Sequence, residues 1–172
     1  MPAKQMIARG RAGTRVVVTR LAYGDLLLES LQAICRAEKI RNGVILTGFG
    51  SLTDVNVTGA VGAAFPPRRF YRRTSPSGVE ILAMSGVIAD YHVHCHLVLC
   101  DRKVAFGGHL EKGCRVLSLA EIVLQRIDGV KLARRVDATT GQTLLQQVRA
   151  YNGGPAQEGS LMAVRKRPVH GQ

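Results

Sequence analysis

The sequence predicts a single compact domain of the α/β (α+β) class, mostly strand, with a twisted antiparallel or mixed sheet and one main helix. Three observations carry this expectation. The chain of 172 residues is near the usual size of one core. Most of its apolar residues recur in short β-branched or alternating runs separated by glycine and proline. One early stretch repeats its apolar residues every three to four positions. With 46% hydrophobic residues and a mean hydropathy of +0.06, the chain holds enough apolar material to fold, which excludes a mainly disordered protein. The 19 glycines follow no triplet repeat, which excludes a collagen-like chain.

Residues 1–13, polar and basic with Gly10 and Gly13, read as a flexible arm, and order is expected from Thr14. Val16, Val17 and Val18 make 14–21 a strand by β-branched content. Asp25 is the expected N-cap of a helix running to about Lys39, whose packed face is Leu27, Leu31, Ile34 and Cys35 and whose basic end suits the helix dipole. Val44-Ile45-Leu46 reads as a strand ending in a glycine turn at Gly48-Phe49-Gly50-Ser51, with Val55 and Val57 in the next strand. The stretch 62–77, with three prolines and four arginines, reads as an exposed excursion. Two long strands follow, 79–89 and 91–100, closed by a turn at Asp101-Arg102-Lys103. Segments 121–127 and 131–136 are expected to form a hairpin about Asp128-Gly129, and 141–148 a short helix. The domain is thus placed at 14–150, with 151–172 a basic tail.

The formal charge is +12, and three acid-free stretches hold the excess. They contain Lys4, Arg9, Arg11, Arg15 and Arg20; then Arg68, Arg69, Arg72 and Arg73; then Arg165, Lys166 and Arg167. The rest of the chain is neutral. Such a field attracts polyanions, whether DNA, an anionic membrane surface or a phosphorylated small molecule. Arg9-Gly10-Arg11 resembles the core of the minor-groove AT-hook, with Ala12 where that motif has proline. Phe70 and Tyr71 between arginine pairs resemble the interleaving of single-strand binders. Arg9, Arg11, Arg68, Arg69, Arg72 and Arg73 are therefore the candidate nucleic-acid or anion contacts.

The four cysteines form no CxxC pair, and no membrane span or signal-peptide core is apparent, so a thiol-reducing, cytoplasmic setting is expected. Cys95, Cys100 and Cys114 lie in apolar surroundings, where a thiol acts as a small buried hydrophobe.

The most informative stretch is Tyr91-His92-Val93-His94-Cys95-His96-Leu97. In a strand His92, His94 and His96 share one face and Cys95 points the other way. Adjacent same-face residues stand roughly 7 Å apart, so two of the three imidazoles can share an ion and a third ligand must come from elsewhere. His109, after Gly107-Gly108, is the candidate, because glycines permit close backbone approach. His170 lies in the tail. Three imidazoles on a divalent ion leave an open coordination position. The alternative is three solvated histidines beside an ordinary turn. Neither GxGxxG nor a complete P-loop is present, and no Ser-His-Asp or Cys-His arrangement stands out.

Arg20-Leu21 with Gly24-Asp25-Leu26, Gly48-Phe49-Gly50-Ser51-Leu52, Glu80 to Gly86, His94-Cys95-His96-Leu97 and Gly107-Gly108-His109-Leu110 occur in a recognisable order. In this the chain resembles the plants-and-prokaryotes conserved (PPC) domain family over about 14–136. The resemblance implies a compact α/β fold assembling as a homotrimer. In land plants the domain accompanies AT-hooks in nuclear DNA-binding proteins, and in prokaryotes it typically stands alone. The family's HxH and GGHL pattern assigns a metal site to His94, His96 and His109, zinc being the expected ion, and leaves His92 as a supporting group. The implied function is a DNA-binding or regulatory homotrimer with a three-histidine metal site. The alternatives are a metal-dependent enzyme of hydrolase or lyase type, with Glu80, Asp90 or Glu111 as base, and a sensor of a small anionic ligand. No catalytic residue is assigned.

Overall fold

A computed structural model of the chain describes residues 6–148. Strand β1 (Arg11–Ala22) is followed by helix α1 (Leu27–Ala37), β2 (Asn42–Val61), β3 (Arg68–Thr74), β4 (Val79–Ala89), β5 (His92–Cys100), β6 (Ala105–Leu110) and β7 (Arg115–Asp128), and then by β8 (Leu132–Val136) and β9 (Thr143–Gln147). Seven strands form one sheet in the order β1-β7-β2-β4-β5-β6, with β3 paired to β2. Strands β8 and β9 pair with each other. Every pairing among the described residues is antiparallel.

The α/β class is corrected by this arrangement: strands take 63% of the described residues and one helix 8%, a β-rich fold. The reason is the length and curl of β2. Its first half pairs with β4 and β7, while Val57 and Thr58 pair with Leu110 and His109 of β6. The sheet thereby bends round until β6 meets β2, and strands cover much of the core that helices would cover in an α/β protein. One helix suffices for the rest. Leu27, Leu28, Leu31 and Cys35 of α1 are buried against the strands, meeting Leu52, Ile88, Leu99, Ile122 and Leu124 in one core.

Several element boundaries also differ from expectation. Strand β1 begins at Arg11. The helix starts at Leu27 with Leu26 as an N-cap that makes no side-chain bond, because the Asp25 carboxylate instead accepts the backbone N–H of Ala22. The expected glycine turn at 48–51 lies inside β2. Gly50, at φ +150, sits where an added Cβ would stand 2.3 Å from the Leu119 carbonyl oxygen, so the glycine permits close packing in a bent strand. The excursion at 62–77 contains β3, which pairs along Val55–Val61. The hairpin about Asp128-Gly129 does not form, since β7 already has β1 on one edge and β2 on the other. Residues 132–136 then need another partner, and residues 143–147 extend to supply it rather than forming a helix. The tail at 151–172 lies outside the described residues, as do Lys4 and His170.

This terminal hairpin is tied down by Asn42, a buried residue at the start of β2. Its amide donates to the Val130 carbonyl at 2.9 Å and its oxygen accepts the Leu132 N–H at 3.1 Å. Val130 and Leu132 pack with Ala89, and Leu145 closes the small cluster. The hairpin is thus held beside the turn that joins β4 to β5.

Candidate metal centre

Along β5, Val93, Cys95, Leu97 and Leu99 are buried, while His92 and His96 are exposed and His94 is half-buried. Strand alternation sends the apolar set into the core and the imidazoles to the outer face. Strand β6 lies antiparallel to β5 with His109 directly opposite His96. Gly107 and Gly108 make that placement possible. An added Cβ at Gly107 would stand 2.4 Å from the Leu97 carbonyl oxygen, and one at Gly108 would stand 2.6 Å from that of Thr58. The strand is wedged between β5 and β2 with no room for a side chain on either glycine.

The ring centroids of His94, His96 and His109 are 4.7 to 5.4 Å apart. One nitrogen from each lies within 4.8 Å of the others. Nitrogens on a tetrahedral zinc ion stand about 3.4 Å apart, given bonds of about 2.0–2.1 Å, so modest ring rotations close the tripod. The donor chemistry fits as well. Burial, reinforced by the Arg134 charge and the neighbouring imidazoles, pulls the pKa of His94 down to about 4. Burial likewise lowers His109, although Glu111 opposes it, and lowers His92 with help from Arg134. Rings neutral at physiological pH offer lone pairs to a cation. This three-histidine group could bind a metal.

The tripod forms the floor of a cavity of about 390 Å³. Its wall includes Thr58 and Gly59 from β2, Arg69 from β3, His92 from β5, and Arg134 and Thr143 from the terminal hairpin. His92 therefore borders the cavity without joining the tripod. Of the carboxylates considered as bases, Glu111 lies 3.9 Å from His109 Nε2 and accepts a 3.0 Å hydrogen bond from the Thr58 hydroxyl. Asp90 pairs with Arg41 at 2.7 Å, and Glu80 does not line the cavity.

The basic candidates are dispersed. Arg69 alone of the six lines the histidine cavity. Arg72 stacks 3.4 Å from the centre of the Phe106 ring and approaches Asp101 at 3.9 Å. Arg73 donates to Asn56 at 3.1 Å and lies over Tyr71. Arg68 is exposed on β3, opposite Val61. Arg9 precedes β1, and Arg11 begins it opposite Asp128. Arg134 was not singled out by the sequence, where it is one arginine of a short Arg-Arg pair without a motif. Partial burial lowers its pKa, yet a guanidinium starts so high that it stays charged.

Known proteins share this fold and part of this sequence. A bifunctional protein GlmU of Synechococcus sp. is 32% identical over 130 residues, covering 74% of this chain and 19% of that protein. The chain thus spans about a fifth of the length of the curated relatives it matches. A metal-containing protein of Archaeoglobus fulgidus superposes with a TM-score of 0.71 at 20% identity, over 83% of this chain and 99% of that one. A candidate DNA-binding protein from Ralstonia eutropha JMP134 superposes with a TM-score of 0.60 at 22% identity, over 75% and 89%. At these identities the two structures speak to the fold alone. The sequence profile of one family matches residues 8–128, most of the described chain, and on that match the protein belongs to the Plants and Prokaryotes Conserved (PCC) domain family.

Proposed function

We propose that this chain is a metal-binding domain in which His94, His96 and His109 hold one divalent transition ion, zinc by preference, and that it acts as a homotrimer. The observation that carries the reading is the convergence of three imidazole nitrogens within 4.8 Å on the floor of a cavity. An all-imidazole set of borderline softness suits zinc better than magnesium or calcium, which take oxygen ligands. A bound ion there supplies a Lewis-acidic position open to the cavity. His94 and His96 orient it from one strand, and His109 completes the set from the next. Thr58 holds the Glu111 carboxylate toward His109, where its charge favours a cationic neighbour.

Elemental analysis of protein purified without a histidine tag tests this. The parent chain should carry close to one ion per protomer, and a His94→Ala, His96→Ala double variant should carry none. Parent protein that stays empty when offered zinc, nickel or iron overturns the reading.

A second reading, association with DNA or another polyanion, is favoured by the +12 charge and by the exposure of Arg9, Arg11 and Arg68. The engagement of Arg72 and Arg73 with Phe106, Asp101 and Asn56 reduces what β3 offers to phosphate. The two readings are compatible, because the tripod and the basic N-terminal segment lie on different strands.

A further inference from the structure

The terminal hairpin that walls the histidine cavity lies beyond the segment matched by the family profile. That match ends at residue 128, whereas β8 and β9 span Leu132–Val136 and Thr143–Gln147. Asn42 anchors the hairpin through Val130 and Leu132, and the result is Arg134 on the cavity wall. Arg69 of β3 also lines the cavity. Arg134 is half-buried, and its Nη2 donates to the Thr143 carbonyl at 3.1 Å. Among the described residues neither arginine pairs with a carboxylate.

Two guanidinium groups at a site built to receive a divalent cation repel that cation and each other. Partial burial of Arg134 adds to the cost, unless an anion lies between the two groups. A planar guanidinium presents parallel donors that match the oxygens of a carboxylate or phosphate. The volume of about 390 Å³ is that of a small-molecule pocket. We propose that the cavity is a receptor for a small oxyanion, a phosphoryl or carboxylate group, with one oxygen at the open metal position and the others held by Arg134 and Arg69. This inference rests on the metal reading above. It makes the hairpin the element that gives this chain its own ligand preference.

The test uses the full chain loaded with cobalt(II), whose visible absorption reports changes in its ligands, with cobalt content measured by elemental analysis before titration. Inorganic phosphate and acetate are titrated separately against a chloride control. A saturable spectral change is expected, tighter with phosphate if the natural group is phosphoryl and tighter with acetate if it is carboxylate. Arg134→Gln and Arg69→Gln should keep the cobalt and each weaken binding about tenfold, the loss expected for one charge-assisted hydrogen bond. Arg69 is exposed, so its variant folds even if the hairpin tolerates no change at Arg134. Stoichiometric cobalt with no spectral response, or with the same affinity in both variants, overturns the oxyanion receptor and leaves the metal site standing. A chain that takes up no cobalt overturns both, and the elemental analysis tells the two failures apart.

Discussion

His94 and Cys95 are neighbours in the chain, yet strand alternation gives them opposite environments: the imidazole faces the cavity and the thiol is 1% exposed in the core. Burial pushes the Cys95 thiol up to about 12, and those of Cys35 and Cys114 up to about 11, although Arg36 beside Cys35 opposes the shift. Only Cys100 is partly exposed among the four. A thiol reagent at pH 8 should therefore modify one cysteine per chain quickly and the other three only on unfolding, with Cys100→Ser removing the fast phase. These thiols also tie stability to alkaline pH. From an ordinary value of 9.0, the unfolded chain releases protons that the folded chain keeps. Their contribution is complete below about 9 and declines as pH rises through 9 toward 11. Urea midpoints that stay level from pH 8 to 10.5 would contradict it. Histidine orientation was legible at this scale because alternation is local. Arg134 was not legible, since nothing near it in sequence says that the hairpin folds back over β5.

At the scale of elements, the two long strands at 79–89 and 92–100 were legible from their alternating apolar residues. The twenty residues of β2 were not, because Gly48 and Gly50 look like a turn and serve as points of close packing in a bent strand. The same physics makes Gly107-Gly108 the structural condition for the tripod. Gly108→Ala sets a methyl group 2.6 Å from the Thr58 carbonyl oxygen, so β6 must move away from β2 and carry His109 with it. The expected cost is about 1–3 kcal/mol in unfolding free energy, in the range of overpacking a close contact. Metal affinity should fall more than in a control such as Gly78→Ala, where an added Cβ meets only the Leu117 side chain, at 4.0 Å. Denaturant titration and competitive zinc binding on the two variants measure both quantities. The mistaken hairpin at 128–129 has an equally concrete origin, since turn residues mark where a chain can reverse but not which strand edges remain free.

At the scale of the molecule, the outer face of the sheet carries valines that a monomer would leave wet. Val16, Val18 and Val98 are 50%, 75% and 48% exposed. Val16 pairs with Gln125, which pairs with Val44, which pairs with Val87 opposite His94. The apolar row and the tripod therefore lie on one face. Self-association covers such a face. Light scattering is expected to give three times the 18.6 kDa of one chain at micromolar concentration, and Val18→Lys with Val98→Lys should lower that mass. A monomer mass for the parent chain would remove the trimer. The basic segments make a separate prediction, because counterion release weakens any DNA complex by about 0.9 in log affinity per log salt for each phosphate contacted. Deleting residues 1–12 takes away Lys4, Arg9 and Arg11 and should reduce the salt slope by up to about three. Sequence-selective binding that survives high salt would contradict an electrostatic mode.

The sequence by itself determined which residues alternate, where the one amphipathic helix lies, that three histidines share a strand face, and that the excess charge gathers in three segments. These properties depend on periods of two or 3.6 residues and on simple counting, so neighbours in sequence suffice to read them. The glycine pair before it singled out His109 and the family resemblance agreed, but its position opposite His96 comes from the pairing of β6 with β5 and β2. Tertiary structure alone decided that strands rather than helices enclose most of the core, the unbroken β2 and the arrival of Arg134 at the cavity. Each depends on which strand edges are already occupied and on how far a bent sheet closes on itself. Those are relations between segments distant in sequence, set by competition for hydrogen-bonding edges and buried area.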